Sequence, residues 1–492
     1  MLGTETLYTA AQTRELDRCA IQDHGIPGIT LMSRAAHACF NILLSRWPNV
    51  QRLQVLCGTG NNGGDGFLVA DLAHKRGIPT TVLQVGDPGK ISGDAALARS
   101  QAQANGVEIL PFSGDVLPIG VVVDALLGTG LGGDVRGGYV EAIEAITASG
   151  VPVLAVDIPS GLCSDTGRVL GLAVRADCTV SFIGLKRGLF TLDAPDFTGA
   201  IEFNDLGVPP EVYGRVPAEW SRLELEPLLA SLPARPASAH KGQYGQVLVV
   251  GGDFGMAGAA SLAAEAALRC GAGLTRVATR PEHVAAVVAR NPEVMCHGVL
   301  SGQELAPLVA MADVIVIGPG LGQSPWSEQL LQVAASSGRP LVLDADGLNI
   351  LAAGRVVEDC PRDSWILTPH PGEAARLLDS STADVQLDRF AAVKALQSRY
   401  GGVVLLKGNG SLIAAAGEGV LSSYGNPGMA SGGMGDVLSG VMGALLAQQL
   451  PPLQAAALAV CLHGAAADLA AEDGQRGLAA SDLAPRLRAL LS

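Results

Sequence analysis

The amino-acid sequence predicts two α/β domains, each built around a largely parallel β-sheet. The chain has 492 residues, which is more than one hydrophobic core usually supports. In both halves, short apolar runs typical of strands alternate with stretches of helical periodicity, and this alternation favours βαβ units. Polar, glycine-rich loops follow several of these runs. Because ligands of parallel sheets lie beyond the carboxyl ends of the strands, these loops are the candidate sites.

The first half begins with helical periodicity between Thr13 and Trp47, before any predicted strand. Segments 94–105 and 139–148 are predicted helices between the strands that follow. Three prolines within residues 207–219 interrupt the alternation and indicate a domain boundary. We therefore expect a first domain over residues 1–215. The predicted strands are residues 53–57, 80–85, 121–126, 151–156 and 178–183.

A short predicted helix over residues 223–232 introduces the second half, where the alternation starts again at Gln246. Residues 436–471 form a last helical stretch that two glutamines and two prolines interrupt, which is typical of two buried helices and not of a membrane span. We expect a second domain over residues 223–492. The predicted strands are residues 247–250, 275–278, 314–317, 341–344, 365–367 and 403–407.

The composition excludes several classes of protein. Hydrophobic residues make up 48% of the chain and charged residues 16%, which is typical of a globular enzyme with a large core. A formal net charge of -14 disfavours nucleic acids and anionic membranes as partners, because their phosphates would be repelled. The nine cysteines form no CxxC pair and are interpreted as reduced core residues. The N-terminal segment lacks the features of a signal peptide, so a cytoplasmic location is expected.

Polar residues follow three strands of the first half, and we expect them to meet at one edge of the sheet. Oxygen atoms of Asn62, Asp124 and Ser160 could coordinate a hard cation, and N–H groups of the glycine loops could hold a phosphate. Asparagine and aspartate also favour turns, so each residue taken alone fits an ordinary loop. The polar residues are Asn61, Asn62, Asp65, Asp124, Asp157 and Ser160.

In the second half, the glycine-rich segment from Asn426 to Gly440 delivers Asp436 onto the start of an apolar helix. The N–H groups of residues 433–435 and the positive end of the helix would stabilise a transferring phosphoryl group, while Asp436 takes a proton from a substrate hydroxyl. This arrangement predicts phosphorylation of an alcohol. The structural alternative is a helix N-cap in which glycines allow close packing. The Walker sequence is absent, so a nucleotide would be held in another way.

Four further loops of the second half follow predicted strands. Lys407 and the next four residues would place a cation and backbone donors near a nucleotide. His370 lies between two prolines, which restrict the backbone and suit a ring that contacts a ligand, although a single histidine is usually structural. The loops at residues 318–322 and 344–349 also end strands, and each alone fits a tight turn.

Together these motifs resemble those of the bacterial nicotinamide nucleotide repair enzymes, which join an NAD(P)H-hydrate epimerase to an NAD(P)H-hydrate dehydratase. The resemblance extends over nearly the whole chain. In the first half it rests on Gly60-Asn-Asn-Gly-Gly-Asp-Gly66, Asp124-Ala-Leu-Leu-Gly-Thr-Gly130 and Asp157-Ile-Pro-Ser-Gly161. In the second half it rests on His240-Lys-Gly-Gln-Tyr-Gly245, Gly318-Pro-Gly-Leu-Gly322, Asp344-Ala-Asp346, Thr368-Pro-His-Pro-Gly-Glu373 and the segment from Asn426 to Gly440.

The resemblance implies a Rossmann-like three-layer α/β/α domain followed by a ribokinase-like α/β domain. It implies that the first domain converts (R)-NADHX and (R)-NADPHX to their S forms, with K⁺ bound. It implies that the second domain phosphorylates the C6 hydroxyl of the hydrated ring at the expense of ADP with Mg²⁺, so that phosphate leaves and NADH or NADPH is restored. A homo-oligomer is also implied.

The resemblance also implies site residues. Potassium would lie on Asn62, Asp124 and Ser160, with Asp157 as the candidate for proton transfer. The implied epimerase substrate residues are Asn61, Asn62, Gly63, Gly64, Asp65, Gly128, Thr129, Gly130, Leu131, Gly132, Gly133, Asp134, Tyr139 and Asp157. The implied dehydratase substrate residues are Ala257, Gly322, His370 and the catalytic Asp436. The implied nucleotide residues are Lys407, Gly408, Asn409, Gly410, Ser411 and Gly435.

Two alternatives stay open at the level of sequence. The same Gly-Asp turn serves small-molecule hydroxyl kinases of the ribokinase-like class, in which phosphate stays on the product and the first domain would be a binding module. Related first domains in eukaryotic RNA-decay scaffolds have lost or changed the catalytic task. The intact Asp157 and the acidic net charge favour an enzyme over an RNA-binding module here.

Overall fold

The computed structural model describes residues 5–357 and 362–491. Contacts between residues divide the chain after Trp220 into two compact units. We name Thr6–Trp220 the N-terminal domain and the part from Ser221 onward the C-terminal domain. Residues 207–219, which the sequence indicates as a boundary, contribute Val208, Val212 and Val216 to the core of the N-terminal domain. The division therefore follows this segment.

The N-terminal domain contains a seven-stranded sheet with the order β4-β3-β2-β5-β6-β7-β9, in which every neighbouring pair is parallel. A short parallel pair, β1 with β8, joins Leu7 to Leu185. The strands are β1 (Glu5–Tyr8), β2 (Leu53–Cys57), β3 (Thr80–Gln84), β4 (Glu108–Pro111), β5 (Val121–Ala125), β6 (Val153–Val156), β7 (Cys178–Phe182), β8 (Leu185–Lys186) and β9 (Ala200–Asn204). The helices are α1 (Ala10–Arg18), α2 (Gly28–Arg46), α3 (Asn61–Lys75), α4 (Gly93–Ala104), α5 (Gly138–Ser149), α6 (Pro195–Thr198) and α7 (Pro210–Arg215).

Two hydrophobic clusters, one on each face of this sheet, give the domain three layers. On one face Val55 and Val123 pack with residues of α2, α3 and α4. On the other face Leu56 and Val122 pack with residues of α5. The alternation of neighbouring strand residues between the two faces explains why the strands are apolar throughout. The Rossmann-like three-layer prediction is confirmed.

The N-terminal domain corrects two expectations. A strand, β1, precedes the first helices, whereas the sequence predicts helices before any strand. The polar, glycine-rich segment after β2 is expected to be a loop, but the helix α3 already begins within it, at Asn61. Glycines at positions 63, 64 and 66 lie inside this first part of α3, where they allow it to approach β2 and α2 closely, as a Cβ at Gly64 would lie 2.6 Å from the Met32 methyl group.

The C-terminal domain contains a sheet that is parallel from β13 to β17 and antiparallel at β18 and β19, with the order β13-β12-β11-β14-β15-β16-β17-β18-β19. The strands of this order are β11 (Gln246–Val250), β12 (Leu274–Thr279), β13 (Met295–Gly298), β14 (Val314–Ile317), β15 (Leu341–Leu343), β16 (Trp365–Leu367), β17 (Val403–Leu406), β18 (Ser411–Ala415) and β19 (Glu418–Ser422). A further short strand, β10, spans Trp220–Arg222. The helices are α8 (Leu225–Ala230), α9 (Ala257–Arg269), α10 (Val284–Arg290), α11 (Gly302–Met311), α12 (Pro325–Ser336), α13 (Ala345–Ala352), α14 (Pro371–Leu377), α15 (Thr382–Leu387), α16 (Arg389–Tyr400), α17 (Met434–Ala447), α18 (Pro452–Ala470) and α19 (Leu483–Leu490).

The apolar helix α17 lies against α9 and the sheet, and its glycines decide how closely. A Cβ at Gly440 would lie 2.1 Å from the carbonyl oxygen of Ala263, and one at Gly443 would lie 2.5 Å from Val316. The predicted last helical stretch consists of two helices, α17 and α18. Among the described residues, Pro452–Asp473 is the one segment long and apolar enough to cross a membrane, and most of it is buried inside its domain.

Candidate active sites

The candidate site of the N-terminal domain starts from the turn between β2 and α3. Gly58 lies directly against β5, because a Cβ there would be 1.9 Å from the carbonyl oxygen of Leu126. The tight turn directs the N-terminus of α3, with Asn61 and Asn62, into a cavity of about 590 Å³. Backbone N–H groups and the positive end of the helix dipole therefore face this cavity, which suits an anionic ligand.

Asp124 and Ser160 form a buried pair beside this cavity. The backbone N–H and the hydroxyl of Ser160 donate to the two carboxylate oxygens of Asp124 at 2.8 and 2.6 Å, and the N–H of Leu126 adds a third bond at 3.2 Å. Burial raises the pKa of Asp124 to about 6, although these hydrogen bonds lower it. The side-chain nitrogen of Asn62 is buried without a hydrogen-bond partner among the described residues.

The oxygen atoms at this position are of the types that bind a hard cation. Asp124, Ser160 and Asn62 offer carboxylate, hydroxyl and amide oxygens, which are the ligand types of hard cations. Gly128 brings the loop after β5 next to Asn62, because a Cβ there would lie 3.5 Å from the Asn62 side-chain oxygen. A bound cation would offset the burial of the Asp124 carboxylate, whose raised pKa shows that its charge is poorly compensated.

Asp157 is held by a lysine that the sequence analysis missed. The ammonium group of Lys186, a fully buried side chain on β8, forms an ion pair with Asp157 and donates to the hydroxyl of Ser181 at 3.2 Å and to the carbonyl oxygen of Phe182 at 3.0 Å. Asp157 itself has a φ of 67°, a left-handed conformation that few residues other than glycine adopt. This strained position lies at the cavity wall.

Two more carboxylates line the cavity. Burial, followed by the charges of Asp157 and Asp17, raises the pKa of Asp65 well above its ordinary value. Burial also raises the pKa of Asp17 to about 6, while Lys186 lowers it. One lysine therefore faces several carboxylates in a low-dielectric space, an arrangement that raises the pKa of the carboxyl groups whose charge the lysine does not balance.

The cavity brings together most of the substrate residues that the sequence predicts. The predicted residues in its wall are Asn61, Asn62, Asp65, Gly128, Thr129, Gly130, Leu131, Gly132, Tyr139 and Asp157. Gly63 and Gly64 are instead buried beneath it, within α3. Gly133 and the exposed Asp134 lie further along the loop after β5 and are not part of the wall.

In the C-terminal domain, the carboxyl ends of four neighbouring strands bring the predicted loops together. The loop at residues 318–322 follows β14, Asp344 follows β15, Thr368 follows β16 and Lys407 follows β17. A Cβ at Gly318 would lie 1.8 Å from the carbonyl oxygen of Asp344, so the first two loops are in direct contact. This edge of the sheet is where parallel α/β folds bind their ligands.

A buried hydrogen-bond network centres on Asp344. Its carboxylate accepts from the Lys407 ammonium group at 2.6 Å, from the Thr368 hydroxyl at 2.8 Å and from the Ser439 hydroxyl at 2.8 Å. Burial lowers the pKa of Lys407, but the charges of Asp344 and Glu373 outweigh burial and the net shift is upward. Lys407 is therefore a fixed cation at the strand ends.

Asp436 lies in the first turn of α17, directly above this network. Gly433 precedes the helix with a φ of 92°, and a Cβ at Gly435 would lie 3.3 Å from the Lys407 nitrogen. Burial and the negative charge of Asp344 raise the pKa of Asp436 to about 7, while Lys407 lowers it. A carboxyl group with this pKa gives and takes protons readily at neutral pH, which suits a general base.

His370, which the sequence predicts to contact a ligand, has a structural task in the fold. Its Nδ1 accepts a hydrogen bond of 3.0 Å from the Gly372 N–H, so the ring caps α14, and its Nε2 lies 3.3 Å from a carboxylate oxygen of Glu373. Burial, together with the positive charges of Lys407 and Arg376, lowers the pKa of His370. The half-exposed ring is therefore neutral at pH 7 and presents an edge to solvent at the strand ends.

Gly322 lies between two carboxylates. Its N–H donates to Asp346 at 2.9 Å, and a Cβ at this position would lie 2.7 Å from one carboxylate oxygen of Asp253. The other oxygen of Asp253 accepts from Arg280 at 2.7 Å. Ala257 begins α9 at the end of the loop that carries Asp253. Only a glycine fits at position 322, because the backbone φ there is 70° and a Cβ would collide with Asp253.

Sequence comparison matches each half of the chain to a known protein family. A family model described as NAD(P)H-hydrate dehydratase matches residues 247–488, and one described as YjeF-related protein N-terminus matches residues 28–188. The bifunctional NAD(P)H-hydrate repair enzyme Nnr of Coxiella burnetii is 49% identical over 489 residues, which cover 99% of each chain. The chain belongs to the family of bifunctional NAD(P)H-hydrate repair enzymes.

Two further comparisons agree with this membership. The repair enzyme Nnr of Escherichia coli is 43% identical over 491 residues, which cover 99% of this chain and 94% of that one. A solved structure of a ribokinase-like superfamily protein from Enterococcus faecalis is 30% identical, covers 56% of this chain and 95% of that chain, and has a TM-score of 0.52. The ribokinase-like prediction for the second half of this repair enzyme family member is confirmed.

Proposed function

We propose that this chain repairs hydrated nicotinamide nucleotides in two steps, with an epimerase in residues 1–215 and a dehydratase in residues 223–492. The N-terminal domain converts (R)-NADHX and (R)-NADPHX to their S epimers. The C-terminal domain converts the S epimers to NADH and NADPH at the expense of ADP, giving AMP and phosphate. The observation that carries the proposal is the position of Asp436, whose pKa is about 7, beside the Lys407 and Asp344 ion pair at the N-terminus of α17.

In the dehydratase step, the Asp436 carboxylate takes the proton of the C6 hydroxyl. The oxygen then bonds to the terminal phosphorus of ADP, and the bond from that phosphorus to AMP breaks. The phosphorylated C6 next loses phosphate with the electron pair of the C–O bond, and C5 loses a proton, which restores the double bond of the reduced ring. N–H groups at the start of α17 and the Lys407 ammonium group stabilise the transferring phosphoryl group.

Magnesium is proposed to bind to the phosphates of the nucleotide and to the carboxylates that face them. The charges of Asp344 and Asp346 both raise the pKa of Asp436, so these two carboxylates lie within electrostatic range of it. The described residues contain no ready-made cluster of three or more histidine, cysteine or acidic side chains for a metal ion. Magnesium commonly uses one or two carboxylates together with phosphate oxygens, and it neutralises phosphate charge when bound.

In the epimerase, Asp157 takes the proton of the C6 hydroxyl as the bond from C6 to N1 breaks with its electron pair on N1, which leaves an aldehyde at C6. N1 then attacks the opposite face of this carbon, and Asp157 returns the proton to the oxygen. Lys186 holds the Asp157 carboxylate in place. The neighbouring Asp65 and Asp17, with raised pKa values, supply carboxyl groups that can share the proton. Asn62, Asp124 and Ser160 would hold potassium, which would supply positive charge for an anionic ligand. The N-terminus of α3 adds backbone donors for the same ligand.

The test is an absorbance assay at the reduced-nicotinamide band. The purified protein receives a mixture of NADHX epimers with Mg²⁺, K⁺ and either ADP or ATP. Full recovery with ADP supports both activities and the donor. If NADH is recovered only up to the share of the S epimer in the mixture, the proposed epimerase activity is refuted. If a phosphorylated product accumulates and no NADH is recovered, the second domain is a hydroxyl kinase. We also propose that the protein is cytoplasmic and that it forms a homo-oligomer. Light scattering of the purified chain tests the oligomeric state.

A further inference from the structure

Arg389, at the start of α16, lies behind the loop of residues 407–411, which we name the nucleotide loop. Its side chain is 2% exposed, although arginine at the first residue of a helix usually reaches solvent. The preceding residue, Asp388, caps α16 by accepting from the Ala391 N–H at 3.0 Å. Since this cap fixes the start of the helix, it also fixes the direction in which Arg389 leaves it.

The guanidinium group of Arg389 donates to the backbone of the nucleotide loop. It reaches the carbonyl oxygen of Asn409 at 2.7 Å, that of Lys407 at 3.2 Å and, more weakly, that of Leu406 at 3.4 Å. Gly408 lies directly on the guanidinium group, because a Cβ there would be 2.9 Å from one of its nitrogens. One side chain thus ties the last residue of β17 and two residues of the loop together.

These bonds set the orientation of two peptide groups. In a trans peptide the carbonyl and the following N–H point in opposite directions. Because the carbonyl groups of Lys407 and Asn409 face Arg389, the N–H groups of Gly408 and Gly410 are turned away from it. The φ of 141° at Gly408 is part of this conformation and is open to glycine.

The buried charge of Arg389 is not matched by an acidic partner. Among residues 5–357 and 362–491, no carboxylate lies within ion-pair distance of it, and its Nε is buried without a hydrogen-bond partner. Burial lowers its pKa to about 10, so it remains a cation at neutral pH. A buried cation that contacts only backbone carbonyls strengthens the potential for an anion at the opposite face of the loop.

We propose that Arg389 is a positioning residue for the phosphates of the nucleotide substrate, acting through the backbone of the nucleotide loop. The inference rests on the proposed nucleotide site at residues 407–411. It assigns Arg389 no contact with the reacting atoms. Its effect is on the affinity for ADP, because the loop conformation and the local potential both depend on the guanidinium group.

The experiment measures both activities of the full-length chain in Arg389→Met, Arg389→Lys and the control Arg399→Met. Arg399 is on the same helix and also donates to a backbone carbonyl, that of Leu377 at 2.8 Å, away from the nucleotide loop. We expect KM for ADP to rise about tenfold in Arg389→Met and less in Arg389→Lys. Lysine keeps the positive charge but lacks the several N–H groups with which the planar guanidinium group binds more than one carbonyl. KM for (S)-NADHX and the epimerase rate stay at the wild-type values.

A variant with a shorter side chain, Arg389→Ala, adds a second measurement, chemical rescue by guanidinium. A purely structural role of Arg389 would not predict this rescue. In Arg389→Ala, millimolar guanidinium is expected to restore the KM for ADP, while the same concentration of sodium chloride does not. An unchanged KM for ADP in Arg389→Met, or equal losses in Arg399→Met, would overturn the inference. If Arg389→Met does not fold, the comparison of Arg389→Lys with Arg399→Met decides in the same way. Failure of wild-type protein to use ADP or ATP refutes the proposed function instead.

Discussion

Replacing Asp344 by asparagine is expected to move the acid limb of the dehydratase pH profile to lower pH. The wild-type limb is set by Asp436, whose pKa is raised from 3.8 to about 7 by burial first and by the Asp344 charge second. Asparagine keeps the shape of the side chain and removes its negative charge. Ionisation of Asp436 then becomes easier, so the base stays deprotonated at a lower pH.

The size of the shift follows from the geometry. A Cβ at Gly435, the neighbour of Asp436, would lie 3.5 Å from an Asp344 carboxylate oxygen. Two charges roughly 7 Å apart at an effective dielectric constant of about 20 interact by about 2 kcal/mol, which corresponds to between one and two pKa units. Lys407 also loses its nearest partner, and its freed charge lowers the pKa of Asp436 further.

The assay is kcat/KM for (S)-NADHX between pH 5 and pH 9 with saturating nucleotide. We expect a wild-type limb near pH 7 and a limb at least about one unit lower in Asp344→Asn. The matched control is Ser439→Ala, which removes a 2.8 Å hydrogen bond to Asp344 but no charge, and should leave the limb nearly in place. A limb that stays at pH 7 or moves upward in Asp344→Asn would show that Asp344 does not set the protonation of the base.

Three other variants test the remaining site assignments. Asp157→Asn should lower the epimerase rate by about 100-fold or more, because it removes the proposed proton-transfer group. The fold should be kept, since asparagine tolerates the left-handed backbone, and dehydration of pure (S)-NADHX should be unchanged. Loss of both activities in a folded protein contradicts separate sites. Asp436→Asn should abolish dehydration. Because the folded pKa of Asp436 is raised to about 7, the wild-type protein loses stability as pH rises from about 4 to 7, and the variant should gain about 1–3 kcal/mol over wild type at pH 8 but little at pH 4. Calorimetry checks this, and an equal difference at both pH values argues against the raised pKa. Ser160→Ala removes the 2.6 Å bond to Asp124 and should weaken potassium activation of the epimerase about tenfold in a KCl titration against NaCl; unchanged activation removes Ser160 from the cation site.

The sequence predicts the central parallel strands because their residues are buried on both faces. It misses the parallel edge strands β4, β9 and β13, whose residues are exposed or half-buried. Strands such as β14 and β16 are short, entirely apolar runs, and a helix follows each of them. The hairpin of β18 and β19 was not predicted, since Ser411–Ala415 and Glu418–Ser422 contain small and polar residues without clear alternation. Strand β1, with four residues, is too short to give a periodic signal.

The residues that the sequence analysis missed have partners far along the chain. Lys186 lies 29 residues after Asp157, and a lysine in a mixed segment is normally a surface residue. Arg389 is 20 residues from Asn409, whose carbonyl it binds. Neither interaction produces a short-range pattern in the sequence from which it could be predicted. The position of Lys186 at the end of β8, directly after an apolar segment and in a half rich in carboxylates, is the available signal for its role.

The left-handed backbone at Asp157 limits the evolutionary routes by which this site can change. At a φ of 67°, glycine, asparagine and aspartate are the residues that fit without added strain. Aspartate codons reach both asparagine and glycine by a single base change. In a lineage that loses the epimerase activity but keeps the fold, asparagine and glycine are therefore the replacements expected at this position. Alanine at this position would signal that the loop itself has been rebuilt.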